Sequence, residues 1–122
     1  MAQNKKLLVV DDDLISCQEL LSKTLAFKGI EVTVAEDIES AIAVIKNNQF
    51  DLIVIDLSLK ASDSGLELVK KIRALDKTVR IAILTGHGDK YRSQALELGA
   101  NYYFSKPIDF KKHFFEPLGI EQ

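Results

Sequence analysis

The sequence predicts one α/β domain over residues 1–122: a doubly wound, five-stranded parallel sheet of order 2-1-3-4-5, with helices on both faces and a short last helix. Two observations carry this expectation. Strand-like and helix-like segments alternate along the whole chain with no repeat, linker or low-complexity tract between them, and such alternation implies βα units around a parallel sheet. The strand-like segments are also continuous apolar runs, as expected of strands covered on both faces. Right-handed crossovers restrict the topology further. The order 2-1-3-4-5 then sets the ends of strands one and three side by side at a switch point.

Lys6–Asp11 is the first such run. Asp13 stands where it caps a helix, in which Leu14, Cys17, Leu21 and Leu25 recur at helical spacing until Gly29 stops it. Val32-Thr33-Val34-Ala35 follows as a second strand rich in β-branched residues. Asp37 caps a second helix carrying Ile38, Ala41, Ile42 and Ile45 on one face and ending near Asn47-Asn48. Leu52–Ile55 forms the third strand, Ser58 to Ser64 a polar loop, and Leu66, Val69, Ile72 and Leu75 mark a third helix. Arg80–Thr85 is the fourth strand, and Tyr91–Leu98 a short fourth helix closed by Gly99. Tyr102–Ser105 is the fifth strand. Asp109 starts a last helix that Pro117 must end or kink; Phe110, Phe114 and Phe115 read as core there, although Phe115 cannot share the face of the other two.

Composition narrows the function. A chain of 122 residues, 47% hydrophobic, holds one ordinary core and is not disordered. Sixteen basic residues against eighteen acidic ones give a net charge of −2, without the basic excess of a nucleic-acid surface. Lys111-Lys112-His113 reads as a solvated helix face. Cys17 is the only cysteine, which excludes an intrachain disulfide and a cysteine metal site. No apolar run approaches the roughly 20 residues that cross a bilayer, and the N-terminus enters a strand without a signal-peptide pattern. A soluble, cytoplasmic protein is the expectation.

The chemistry lies where the strands end. Leu7-Leu8-Val9-Val10 runs into Asp11-Asp12, Leu52-Ile53-Val54-Ile55 into Asp56, and Ile81-Ala82-Ile83-Leu84 into Thr85. Tyr102-Tyr103-Phe104 leads through Ser105 to Lys106. In an open α/β sheet these carboxyl ends share one edge, where ligands bind. Three ionised carboxylates in close array repel. A hard divalent cation relieves the repulsion, and Mg²⁺ is commonly held by one or two carboxylates plus phosphate oxygens. A carboxylate is ionised without a general base and is a competent nucleophile toward phosphorus. Phosphoryl transfer then needs alignment and charge neutralisation, to which a lysine and a hydroxyl contribute. Each piece has a plainer reading as a helix cap or turn residue; the joint occurrence at successive strand ends is the specific signal.

Those segments, with Gly65-Leu66-Glu67-Leu68, Thr85-Gly86, Gly99-Ala100 and Lys106-Pro107, make the sequence similar to a response-regulator receiver domain of two-component signalling (CheY-like) over nearly its whole length. The resemblance implies Asp56 as phosphoacceptor, Asp12 as a direct Mg²⁺ ligand, Asp11 as a neighbour acting mostly through water, and the Ser58 backbone carbonyl as a further ligand. It implies that Lys106 pairs with the phosphoryl group, that Thr85 shifts toward it, and that Tyr103 changes rotamer in response. The implied phosphodonor is a phosphohistidine on a histidine kinase or phosphotransfer protein. The implied readout is the surface around the fourth helix and fifth strand, which controls a downstream target protein or output domain. Such a module switches a signal and is not an enzyme with its own output, although it catalyses its own phosphorylation and dephosphorylation.

The sequence departs from the family pattern in two places. Lys60 stands where a proline is usual, four residues beyond Asp56, and the loop from Asp56 to Gly65 is about one residue longer than common. Ser58 and His87, each two residues beyond a site residue, border the path of the hydrolytic water in the family and are expected to tune phosphoryl lifetime. His87 reads equally well as a solvated turn residue. The short last helix gives no support to a homodimer formed through the fourth and fifth helices.

Three other readings compete. A Mg²⁺-dependent phosphatase using an aspartyl phosphate commonly has a second acid two residues beyond the nucleophile, and here that residue is Ser58. A nucleotide-binding domain would have a glycine-rich turn where Asp11, Asp12 and Asp13 stand. A pseudo-receiver would lack site residues, all of which are present, so only Lys60 and the altered loop favour it. Whether the domain works alone or belongs to a longer chain stays open.

Overall fold

The computed structural model describes residues 5–11, 29–57, 62–86, 88–105, 109 and 111–119. Five parallel strands, β1 (Lys5–Val10), β2 (Ile30–Ala35), β3 (Leu52–Asp56), β4 (Arg80–Thr85) and β5 (Tyr102–Ser105), form one sheet. Its order is β2-β1-β3-β4-β5, as predicted. Among the described residues the helices are α1 (Ile38–Asn47), α2 (Ser62–Leu75), α3 (Arg92–Leu98) and α4 (Glu116–Leu118). A 3₁₀ turn, Gly88–Tyr91, precedes α3, and a π-helical turn, Lys111–Phe115, precedes α4. The expected helix from Asp13 with Leu14, Cys17, Leu21 and Leu25 lies outside the described residues.

Alternation along the strands divides the core in two. Leu8, Val10, Ile53, Ile55, Ile81, Ile83 and Tyr103 face Ala41 of α1, Leu68, Val69 and Ile72 of α2, and Ala95 of α3. Leu7, Val9, Leu52, Val54, Ala82 and Leu84 face the opposite way, against Phe114, Phe115 and Leu118. Each central strand buries both faces, which is why it reads as an unbroken apolar run.

Local chemistry sets most boundaries where the sequence placed them. Asp37 is the N-cap of α1, accepting from the Ser40 N–H at 2.8 Å. Gly99 closes α3 in the left-handed region, at φ 118°, where only glycine is unstrained.

Four expectations need correction. β2 begins at Ile30, ahead of Val32. Helix α2 begins at Ser62, inside the predicted loop, because a polar Ser-Asp-Ser first turn has the composition of a loop. Leu75, at the last position of α2, is 49% exposed although it keeps the apolar spacing. The chain through 111–118 is wound first as a π turn, whose wider winding sends both Phe114 and Phe115 into one cluster. Helical spacing had set Phe115 apart. Pro117 falls in the first turn of α4, where its missing N–H costs nothing.

Candidate functional site

The site residues stand at the carboxyl ends of β1, β3 and β4. Val10 pairs with Ile55, so Asp11 and Asp56 are the next residues on neighbouring parallel chains, about 5 Å apart in backbone spacing. Asp56 pairs with Leu84, and Thr85 follows it. The Asp11 N–H donates to Ala35 O and the Leu57 N–H to Leu84 O, both at 3.0 Å, so the ladder continues to the edge and holds these positions in register. Asp56 is 4% exposed, Thr85 is fully buried, and Asp11 is half-buried. Both Asp56 and Thr85 are engaged in polar contacts. Strand register thus sets the positions of Asp11, Asp56 and Thr85 beside one another on one edge of the sheet. Asp12, Ser58, Lys60, His87 and Lys106 lie outside the described residues. No group of three or more His, Cys, Asp or Glu side chains clusters among the described residues.

Gly65 sets how closely α2 approaches this edge. A Cβ there would run into the Leu57 side chain and lie 3.4 Å from Ile55 Cγ2. Leu57 directly follows Asp56 and is fully buried. The bare glycine thus lets a helix lie against the segment that carries the carboxylate.

Tyr103 lies inside the molecule at 5% exposure, paired in register with Ile83. Its hydroxyl donates to Gly88 O at 2.6 Å and accepts from the Tyr91 N–H at 3.3 Å. The Arg92 guanidinium, paired with Asp89 at 3.0 Å, lies 5.0 Å from the Tyr103 ring centroid. The 3₁₀ turn that follows Thr85 is thereby pinned to β5. Sequence reading marked Tyr103 but not its hold on this turn, because no spacing rule links positions 88, 91 and 103.

Two further clusters were not anticipated. Arg73 of α2 donates from Nε to Gly99 O at 2.9 Å, from Nη1 to Asp76 O at 3.2 Å, and from Nη2 to Asn101 Oδ1 at 2.8 Å. Asn101 Oδ1 also accepts from the Ile81 N–H at 2.9 Å, joining α2 to the α3–β5 connection and β4. On the other side of the sheet, Asp109 Oδ1 accepts from the Lys112 N–H at 3.2 Å while the Asp109 N–H donates to His113 Nδ1 at 3.0 Å. His113 stacks on Phe104 with centroids 4.7 Å apart. Lys111 and Lys112 are exposed as expected, but His113 is buried, contrary to its reading as a solvated residue. Its i, i+4 spacing from Asp109 was the available signal.

Residues 7–114 match the response regulator receiver domain family. The chain is 30% identical over 107 residues to the sporulation initiation phosphotransferase F of Bacillus subtilis, covering 87% of this chain and 85% of that protein. It spans only 54% of the acid tolerance regulatory protein ActR of Rhizobium meliloti, at 36% identity. Among solved structures, a CheY-like receiver domain protein from Methanospirillum hungatei superposes with a TM-score of 0.83 at 29% identity, covering 96% of this chain and 95% of that one. A response regulator from Burkholderia pseudomallei, solved with a phosphorylated aspartic acid and a calcium ion, superposes with a TM-score of 0.81 at 30% identity, covering 91% of this chain and 65% of that one. The chain belongs to the response regulator receiver domain family. It is a CheY-like receiver domain of the two-component response regulators, a signalling domain. No described helix is long and apolar enough to cross a membrane.

Proposed function

We propose that this receiver domain, taken as residues 1–122, is switched by Mg²⁺-dependent phosphoryl transfer from a phosphohistidine onto Asp56. The observation that carries the reading is the placement of Asp11 and Asp56 at matched positions on adjoining strand ends, with Thr85 on the next strand. An Asp56 carboxylate oxygen forms the new O–P bond as the P–N bond of the donor breaks, and the departing imidazole takes up a proton. The all-oxygen donor set suits a hard divalent cation. Asp11, Asp12, Asp56 and the Ser58 carbonyl would hold it, and the ion would supply charge neutralisation at the phosphoryl oxygens. Lys106 pairs with the phosphoryl group and Thr85 moves its hydroxyl toward it. Ser58 and His87 set how long the acyl phosphate survives.

Phosphorylation then biases an existing two-state equilibrium. Tyr103 and the turn it holds report the change to the surface of α3 and β5. The donor is a histidine kinase or phosphotransfer protein, and the receiver acts on a target protein or an attached output domain in the cytoplasm. The calcium-bound, phosphorylated state of the Burkholderia relative supports this reading.

Incubation with a small-molecule phosphodonor and Mg²⁺ tests it. One phosphoryl group per chain is expected, released by hydroxylamine, abolished by chelation and absent in Asp56→Asn. Unchanged labelling of Asp56→Asn overturns the assignment. Multiple turnovers of a phosphate ester would favour the phosphatase instead.

A further inference from the structure

We infer that α1 is a self-complementary docking face and that its occupant is a second copy of this chain, in antiparallel two-fold contact. Six of the ten residues in α1 are apolar, yet only Ala41 is fully covered. Ile38, Ile42, Val44 and Ile45 are only partly buried against the core. A groove runs along the outer side of the helix, lined by Ile38, Glu39, Ile42, Ala43, Lys46 and Asn47. The end of α2 forms its other wall through Lys71, Ala74 and Leu75. Leu75 is one of two large apolar side chains exposed among the described residues.

Charge selects the occupant. The groove carries an exposed acid, Glu39, at the start of α1 and exposed bases, Lys46 and Lys71, at its end. Neither Glu39 nor Lys46 belongs to an ion pair among the described residues. They stand seven residues apart, about two turns and roughly 10 Å along one side of the helix. In an isologous contact residue i meets j while j meets i. An antiparallel copy centred between positions 42 and 43 sets Glu39 against Lys46 of the partner subunit and Lys46 against the partner subunit's Glu39. Ile42 and Ala43 flank the two-fold axis on either side of the contact line, so each lies beside its own copy, the partner subunit's Ile42 and the partner subunit's Ala43. The small Ala43 at the crossing allows a close helix approach, and opposed helix dipoles favour this orientation. A foreign helix would need the same gradient of charge, whereas a second copy supplies it automatically. One helix with a single flanking turn buries area at the low end for a specific interface, so the dimer is weak and concentration-dependent.

The test is sedimentation equilibrium of the full chain from about 1 to about 500 micromolar, where an interface of this size associates. Self-association is expected, weakened about tenfold by either Glu39→Lys or Lys46→Glu, since each turns two attractive pairs repulsive. Mixing the two variants restores wild-type affinity, because every cross-pair is again opposite in charge. Both positions are exposed, so unchanged urea midpoints establish that the variants fold. Leu96→Ser, at the other exposed apolar residue, leaves association unaltered. A monomer throughout the range overturns the proposal and leaves the face to a foreign partner. Association that ignores both charge changes, or a mixture no stronger than its components, also overturns it.

Discussion

His113 makes stability pH-dependent in a window that its surroundings define. Burial lowers its pKa below the usual 6.5 and outweighs the opposing pull of the Asp109 carboxylate, while Lys112 adds to the depression. Its Nδ1 accepts the Asp109 N–H at 3.0 Å, which requires the neutral imidazole with the proton on Nε2. Between 6.5 and the lower folded-state pKa the unfolded chain binds more protons than the folded one. Stability therefore falls as pH drops below 6.5 and levels off beneath the folded-state value; above 6.5 this histidine contributes no slope. One proton limits the slope to about 1.4 kcal/mol per pH unit. Protonation also turns the Nδ1 acceptor into a donor facing another donor, a loss of about 1 kcal/mol for that bond. His113→Asn keeps a short-range acceptor without the titration. Urea unfolding of both proteins from pH 7.5 to 5 measures the difference. The wild type should lose stability relative to the variant as pH falls, with a constant offset above 7. Parallel profiles across the window would refute the reasoning. The lowered carboxyl of Asp76, held down chiefly by the Thr78 N–H, does not interfere: its contribution is full above 3.8 and is lost only below that value.

Other outcomes follow from the same contacts. Gly99→Ala forces a side chain into the left-handed region with its Cβ 2.7 Å from Arg73 Cγ, and thermal unfolding should report a loss of about 2–4 kcal/mol. Arg73→Met keeps the stem but removes three hydrogen bonds from a partly exposed guanidinium, a loss of about 2 kcal/mol in urea titration. Tyr103→Phe deletes the bonds to Gly88 and Tyr91; solvent reaches this turn, so the cost is about 1 kcal/mol. Hydrogen exchange at the Tyr91 amide should accelerate while the β3 amides stay protected.

Most of the sheet was legible because each strand is its own signal. Leu7–Val10, Leu52–Ile55 and Arg80–Thr85 carry no competing helical period, and their ends are set by a carboxylate or hydroxyl that cannot enter the core unaided. The sheet order then brought Asp11 and Asp56 together across a long stretch of chain. What escaped detection was set by contacts between elements. The buried state of His113 depends on Phe104 of β5 and on a π turn, which has no distinct sequence period. Leu75 obeys the apolar spacing of α2 but stands at its last position, half exposed. The first turn of α2 has the composition of a loop, and only packing of Gly65 against Leu57 shows that the helix has begun.

The same geometry explains how an event at a carboxylate can reach the surface without a long mechanical path. Asp56 and Thr85 lie on neighbouring strands, one register step apart. Thr85 is fully buried, so its strand end cannot shift without repacking. Only Gly86 and His87 separate it from the 3₁₀ turn, and that turn is tied to β5 through the Tyr103 hydroxyl at both Gly88 and Tyr91. Displacing the end of β4 must therefore strain or release those two bonds. If they release, Tyr103 loses its inward anchor while Arg92, at the first position of α3, loses the ring beneath it. Under the proposed function, a phosphoryl group at Asp56 would need to bias only this small contact set, whose interaction energy is of the order of 1–2 kcal/mol. That is the size of coupling that separates a population of about one in ten from one near equality.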